Sequence, residues 1–277
     1  MDVAAFAAEL PMRFAGDLYA DHPRERRYRD VVDDVPGMST EHALTVLDLA
    51  VGHLGEDECY LEVGSYRGRS LVGAMLANPE RRAVAVESFS EFGVDAAETL
   101  SEVRRTLADY GCSDRVQLVV GDAFRLFKPG FTERPVGAYF YDGAHSRVAQ
   151  YLGLAMAESL LADEALVIID DATWPQVAAA TQSYLSRHSG YEVVADLRAT
   201  QDFDPRWCNG LLILAWRRPP GWTTPAGWAI TWRRAAHLAV LEPSRRIAWR
   251  VLGPRPRLMA AAKRLYLHGG TAVQGRS

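Results

Sequence analysis

The sequence predicts an α/β fold in which a doubly wound parallel sheet carries helices on both faces. Short runs rich in β-branched and aromatic residues alternate with longer amphipathic stretches, the pattern of strands and covering helices. Each long stretch is about the length that a right-handed crossover between parallel strands requires. A proline- and glycine-rich stretch then ends the alternation and separates a tail of different composition. Residues 1–38 read as an N-terminal helical lid segment. Ser39, followed by Glu41 and His42, is placed as the N-cap of a helix running through Leu54 and covering the edge of the sheet. Seven strands follow, over Cys59 to Val63, Ala83 to Glu87, Val116 to Val120, Val136 to Tyr141, Ala165 to Asp170, Tyr191 to Ala195 and Leu211 to Trp216. The helices between them span Ser70 to Ala77, Asp95 to Tyr110, Ser146 to Leu161 and Thr173 to His188. Pro219 to Gly227 is the linker. The expected boundaries are therefore 1–38, a sheet domain over 39–217, and a helical, basic extension over 218–277. No repeat or low-complexity tract interrupts this order.

Of the 277 residues, 48% are hydrophobic and 24% charged, a globular rather than a disordered composition. The apolar runs are strand-sized, far from the roughly 20 residues of a membrane-spanning helix. Met1 to Leu10 carries Asp2 and Glu9 and has no basic region before an apolar core, unlike a secretory leader, so a cytoplasmic location is expected. Cys59, Cys112 and Cys208 form no C-x-x-C pair and read as small buried thiols in a reducing compartment. The net charge of −4 conceals an asymmetry. Twelve of the 31 basic residues but only one of the 35 acids, Glu242, lie from Arg217 onward, giving that segment +11 and leaving −15 on the rest.

In an open α/β sheet the ligand lies beyond the carboxyl ends of the strands. The first strand runs into Glu62-Val63-Gly64-Ser65-Tyr66-Arg67-Gly68-Arg69-Ser70, a glycine turn opening a helix, where bare backbone N–H groups can approach a polar ligand. The second ends in Glu87, 23 residues after Gly64, close to the spacing at which an acid accepts ribose hydroxyls. Together they imply a nucleotide-like ligand.

The E-x-G-x-Y-x-G-x-S form of Glu62 to Ser70 resembles the first motif of the class I S-adenosylmethionine-dependent methyltransferases, especially small-molecule O-methyltransferases of the catechol type. Oxidoreductases usually read G-x-G-x-x-G there. The resemblance covers roughly Ser39 to Trp216 and implies a Rossmann-like, mostly parallel sheet of seven strands with the last antiparallel. It implies Glu62 and Gly64, with Ser65 and Gly68 of the same turn, beside the methionine part of the cofactor. Tyr66 and Ser70 would lie near its amino and carboxyl groups, and Glu87, with Ser88, at the ribose. Asp122 and Ala123 match the place of the adenine contact.

The fourth strand ends in Tyr141-Asp142-Gly143-Ala144-His145-Ser146 and the fifth in Asp170-Asp171-Ala172-Thr173-Trp174. Asp142, Asp170 and Asp171 stand at neighbouring strand ends, and three like charges there call for a cation such as Mg²⁺. In metal-dependent relatives an acid after the fourth strand and a pair after the fifth are ligands, which these three match. Alternatively Asp142 binds cofactor while Asp170 or Asp171 caps the following helix. His145, beside Asp142, is the candidate general base for taking a proton from an attacking hydroxyl, with capping, cofactor binding or metal binding as its other roles. The D-G-A-H-S form lacks the lysine of catechol-type enzymes and is similar to natural-product and sugar O-methyltransferases. Phe89, Phe92, Trp174 and Trp207 are candidates for an acceptor pocket or for core, and Ser88 to Gly93 resembles a loop of some methyltransferases. Asn209-Gly210 reads as a turn.

The tail carries Trp228, Trp232, Arg233, Arg234, Arg245, Arg246, Trp249 and Arg250, then Arg257, Met259, Lys263, Arg264, Leu265 and Tyr266, a pattern of basic amphipathic helices. Docking on the acidic body of this or a sister subunit, lying on an anionic membrane, and attracting an acidic partner or substrate all fit. No nucleic-acid motif is present. The expected function is transfer of a methyl group from S-adenosylmethionine to a hydroxyl of a small molecule, a sugar or secondary-metabolite intermediate of natural-product biosynthesis, with divalent-metal help, by a homo-oligomer. Three rivals are methylation of nitrogen or carboxyl, a NAD-dependent oxidoreductase, and a non-catalytic binding protein.

Overall fold

The computed structural model describes residues 1–90, 95–201, 203–252, 255 and 258. Phe92 and most of the loop around it lie outside the described residues, as do Arg257, Met259, Lys263, Arg264, Leu265 and Tyr266.

The seven strands are β1 (Cys59–Val63), β2 (Ala83–Glu87), β3 (Val116–Val120), β4 (Val136–Tyr141), β5 (Leu161–Ile169), β6 (Tyr191–Leu197) and β7 (Leu211–Arg217). They form one sheet in the order β3-β2-β1-β4-β5-β7-β6, with β7 antiparallel to both neighbours and the other pairs parallel. The order reverses between β1 and β4, so a cleft opens at their carboxyl ends. Alternation along each strand divides the core. Tyr60, Ala138, Phe140, Leu166 and Ile168 face one layer, and Leu61, Tyr139, Tyr141, Val167 and Ile169 face the other.

Helices α1 (Val3–Glu9), α2 (Arg29–Asp34), α3 (Glu41–Gly52), α4 (Arg69–Met75) and α5 (Ala96–Asp109) contribute to the first layer. The short α6 (Ala123–Leu126), α7 (Arg147–Ala157) and α8 (Pro175–Leu185) cover the second. Three differences between expectation and structure matter for the site and its support. The N-cap of α3 is Thr40, whose Oγ1 accepts from Ala43 N at 3.2 Å, while the Ser39 carbonyl accepts from Arg69 Nη1. Nor does α3 sit at the sheet edge. It is buried on all sides from Glu41 to Val51, between the central strands and the N-terminal helices, which explains its weak amphipathicity. Finally, α7 ends at Ala157 and β5 begins at Leu161, because Leu160 and Leu161 are buried and pair with Val136.

The first 38 residues share the main core through Val3, Phe6, Leu10, Phe14, Tyr28, Val31 and Val35. The guanidinium of Arg69, at the start of α4, donates to the carbonyls of Val32, Val35 and Ser39, tying that segment to the glycine turn. The three cysteines are free, Cys59 and Cys112 buried and Cys208 half-buried.

At the far side, Glu158 at the end of α7 is buried and accepts from Tyr184 and Tyr191 hydroxyls and from the Trp222 indole at 2.9 Å. Trp222 belongs to the proline-rich linker and is also stacked under the Arg218 guanidinium at 4.3 Å. Beyond the linker, α9 (Trp228–Ala236), a π-helical turn (His237–Leu241) and α10 (Glu242–Leu252) run on without a break. This helix lies against α6 and α7, where Arg234 donates to the Phe124 carbonyl and Arg233 stacks over Tyr151 at 4.3 Å. Among the described residues no helix is long and apolar enough to cross a membrane.

Candidate active site

The β1 turn is shaped by backbone that few residue types tolerate. Gly64 has φ 94° and Gly68 φ 89°, and Tyr66 between them has φ 45°. A Cβ on Gly64 would stand 1.9 Å from the carbonyl oxygen of Asp142, so the turn touches the end of β4 directly. Asp142 N completes this join by donating to the Val63 carbonyl at 2.9 Å.

Glu62 lies under the turn. It accepts from Ser70 Oγ at 2.9 Å and from Tyr60 OH at 2.7 Å and is fully buried. Burial raises its pKa to about 7, against the pull of the Tyr60, Ser65 and Ser70 hydroxyls. Glu62 and Ser70 thus form the floor of the turn, while Ser65, also buried, and Tyr66 form its upper part. Glu87, at the end of β2, spans two loops: Oε2 accepts from Tyr66 N at 2.9 Å and Oε1 from Phe89 N at 2.7 Å. Phe89, with φ 48°, turns back into the core. Ser88 Oγ is 2.8 Å from Ser90 Oγ, which accepts from Arg245 of the extension.

Asp122 caps α6 by accepting from Phe124 N at 2.8 Å, and its Oδ2 lies 3.2 Å from His237 Nε2. Burial would raise its pKa, yet His237 and the Phe124 amide hold it below the usual carboxylate value. Ala123 is buried beside it. The helical extension therefore sits directly on Asp122 and Ala123 and reaches Ser90, an adjacency that no spacing in the sequence signals.

The other half of the rim is acidic. Asp142 and Asp170 follow adjacent strands and their pKa values are both raised strongly, by burial first, then for Asp142 by the charges of Asp170 and Asp171 and for Asp170 by that of Asp171, while a hydrogen bond with Asp142 partly offsets the rise at Asp170. Asp171 has φ 54° and directs its two oxygens to different partners. Oδ1 accepts from Asn209 Nδ2 at 2.8 Å, and Oδ2 lies 3.3 Å from His145 Nδ1. His145 Nε2 is 3.7 Å from Asp142 Oδ1 and is buried without a hydrogen-bond partner among the described residues. Burial lowers the His145 pKa although Asp171 opposes this, so the ring is neutral near pH 7. Trp174 packs edge-on against it, with ring centroids 5.3 Å apart.

Asp142, His145 and Asp171 offer ligand atoms within 4.8 Å of one another. This set differs from the expected trio, for His145 takes the place that Asp170 was given. Two oxygen donors, one imidazole nitrogen without a partner and two carboxyls kept from ionising freely suit a divalent cation. Asp142 and Asp171 with His145 or Asp170 would hold it.

Of the four aromatics considered for an acceptor wall, Trp174 lies at the site. Phe89 and Trp207 are core, the latter packed between Phe14 and His42 with its indole donating to the Leu18 carbonyl. Sequence reasoning missed the part of Asn209. Its turn brings the start of β7 against the loop after β5, where Ala172 N and Thr173 N donate to the carbonyls of Gly210 and Asn209.

Residues 61–172 match the family model described as a methyltransferase domain, a span that runs from β1 to just past β5 and includes Gly64, Glu87, Asp122, Asp142, His145 and Asp171. No curated protein sequence matches the chain. Among solved structures, the O-methyltransferase from Bacillus cereus in complex with S-adenosylhomocysteine is similar with a TM-score of 0.54 at 14% identity, over 75% of this chain and 100% of that one. Cofactor-bound Rv0187 from MTB gives 0.53 at 20% identity, over 78% and 96%. The O-methyltransferase TomG from Streptomyces achromogenes, involved in tomaymycin synthesis and solved with S-adenosylmethionine, gives 0.50 at 17%, over 78% and 90%. Residues 61–172 thus resemble a methyltransferase domain, and the seven-stranded sheet has the Rossmann-like methyltransferase fold of these structures.

Proposed function

We propose that this domain transfers the methyl group of S-adenosylmethionine to a hydroxyl of a small molecule, a sugar or secondary-metabolite intermediate, with His145 as general base. One observation carries the reading. His145 is neutral, its Nδ1 faces Asp171, and its Nε2 is left without a partner at the rim beside the glycine turn.

Asp171, itself fixed by Asn209, favours the tautomer with the proton on Nδ1, which leaves the buried Nε2 lone pair as an acceptor on the Asp142 side of the ring. On this reading the backbone of Gly64 to Gly68 and the carboxylate of Glu87 would take the cofactor's amino-acid and ribose parts, and Asp122 and Ala123 its adenine. The donor, when bound, presents a sulfonium methyl, whose S–C bond breaks as the O–C bond forms and whose electron pair stays on sulfur. Nε2 takes the hydroxyl proton in that step and later releases it to water. Holding the hydroxyl between Nε2 and the methyl group converts an encounter into a positioned displacement, to which Trp174 contributes one wall. A divalent ion held by Asp142 and Asp171 would lower the pKa of a coordinated hydroxyl.

The test is an acceptor screen that detects S-adenosylhomocysteine formation and the methylated product, with and without chelator. O-methylated product, lost with His145→Ala while cofactor affinity stays the same, supports the reading. N-methyl or methyl-ester product, or unchanged turnover of His145→Ala, removes it.

A further inference from the structure

We infer that the outer face of the C-terminal helix is a docking surface for an anionic lipid bilayer, along which the helix lies flat. The surface is independent of the methyl-transfer reading. It begins with five large apolar side chains that face solvent: Trp228 (82% exposed), Trp232 (67%), Ile247 (62%), Val240 and Val251. Before the extension, the large exposed apolar side chains among the described residues are Met12, Met38, Val120, Val193 and Phe203, each from a different segment of the chain.

The π-helical turn at His237–Leu241, which itself carries Val240, is what brings Ile247 and Val251 into line with the tryptophans. In an uninterrupted α-helix, at roughly 100° per residue, Ile247 and Val251 would point about 100° away from Trp228 and Trp232. A π-turn absorbs one extra residue and rotates the later half back by about that angle. The result is one apolar stripe over a continuous helix from Trp228 to Leu252, on the order of 35 Å long. The same turn points His237 and Glu242 inward, both buried, where they meet Asp122 and Arg245.

Charge identifies the occupant. Glu242 is the one acid after Arg217, and it is withdrawn from the surface, paired with Arg245 and Arg246. The outer face therefore presents no negative charge, and exposed Arg246 and Arg250 border the stripe. Two such helices packed face to face would set arginines against arginines. The acidic body of a second copy would supply charge without the hydrocarbon layer that five exposed apolar side chains call for. An anionic bilayer supplies both: phosphates for the arginines, and an interfacial layer in which tryptophan is favoured.

The experiment is co-sedimentation of the full chain with vesicles of phosphatidylcholine alone and of phosphatidylcholine mixed with phosphatidylglycerol, together with indole emission. The protein is expected to pellet with the mixed vesicles, to shift its emission to the blue, and to be released by salt. Trp228→Ser with Trp232→Ser should lower partitioning at least about tenfold, and Arg250→Gln about fivefold. If the tryptophan pair proves needed for folding, the wild-type emission shift and the Arg250→Gln variant still decide. Folded protein that stays in solution with mixed vesicles, or pellets equally with both kinds, overturns the inference. So does a wild-type oligomer in light scattering that the tryptophan pair dissociates, which would make a second copy the occupant.

Discussion

The two halves of the sheet's carboxyl rim treat their carboxylates in opposite ways. On the β1–β2 side, Glu62 and Glu87 each accept two hydrogen bonds from within the chain. On the β4–β5 side, Asp142, Asp170 and Asp171 crowd one another, and His145 Nε2 has no hydrogen-bond partner among the described residues. The first half is built as scaffold, its two carboxylates engaged in holding the glycine turn and the loop after β2. The second half stores unfavourable electrostatics, the condition in which a proton acceptor or a cation site is useful.

The largest expected effect falls on the second half. His145→Ala should lower turnover about 10²- to 10⁴-fold with little change in melting temperature, read by steady-state kinetics and calorimetry. Similar losses in both measurements would erase the contrast. On the first half, Gly64→Ala should cost about 4 kcal/mol or more, because the new Cβ overlaps the Asp142 carbonyl. A denaturant titration showing a loss below about 1 kcal/mol would mean that the two strand ends are not joined as described.

Glu62 sharpens the comparison through pH. Its folded pKa of about 7 lies above the ordinary 4.5, so folding favours the protonated form. Its contribution is fully present below pH 4.5 and is lost as the pH rises through about 7. Glu62→Gln should therefore gain stability relative to the natural protein across that window, by up to about 3 kcal/mol less the hydrogen bonds that the amide makes less well. Melting curves of both proteins that run parallel from pH 4.5 to 8 would place the titration elsewhere. The smallest effect is Glu87→Ala, expected to weaken S-adenosylmethionine binding about 10- to 100-fold. Unchanged affinity in a calorimetric titration would free Glu87 from any cofactor role.

The same division explains what the sequence disclosed. The four central parallel strands were legible to within a few residues, because Val, Leu, Ala and Tyr alternate between two buried faces there. Gly64, Glu87 and Asp142 were legible because the strand-end rule places them. The pairing of Asp171 with His145 and Asn209 was not, since it depends on which rotamer each side chain takes across strands far apart in the chain. The contact of His237 with Asp122 joins residues 115 apart, and only the folded course of the linker creates it. Thr40 rather than Ser39 caps α3, and its Oγ1 also donates to the Arg206 carbonyl 166 residues away, a tertiary partner that local propensity does not encode.

Glu158 gives the linker an unexpected dynamic status. A proline-rich connector would ordinarily exchange its amide and indole protons quickly, through local fluctuations that leave the domain intact. Here releasing Trp222 takes away one of three donors to a buried carboxylate whose remaining partners belong to α8 and β6. The Trp222 indole proton should then exchange at the rate of the slow, whole-domain opening, which makes that one proton a reporter on the cooperativity of the sheet.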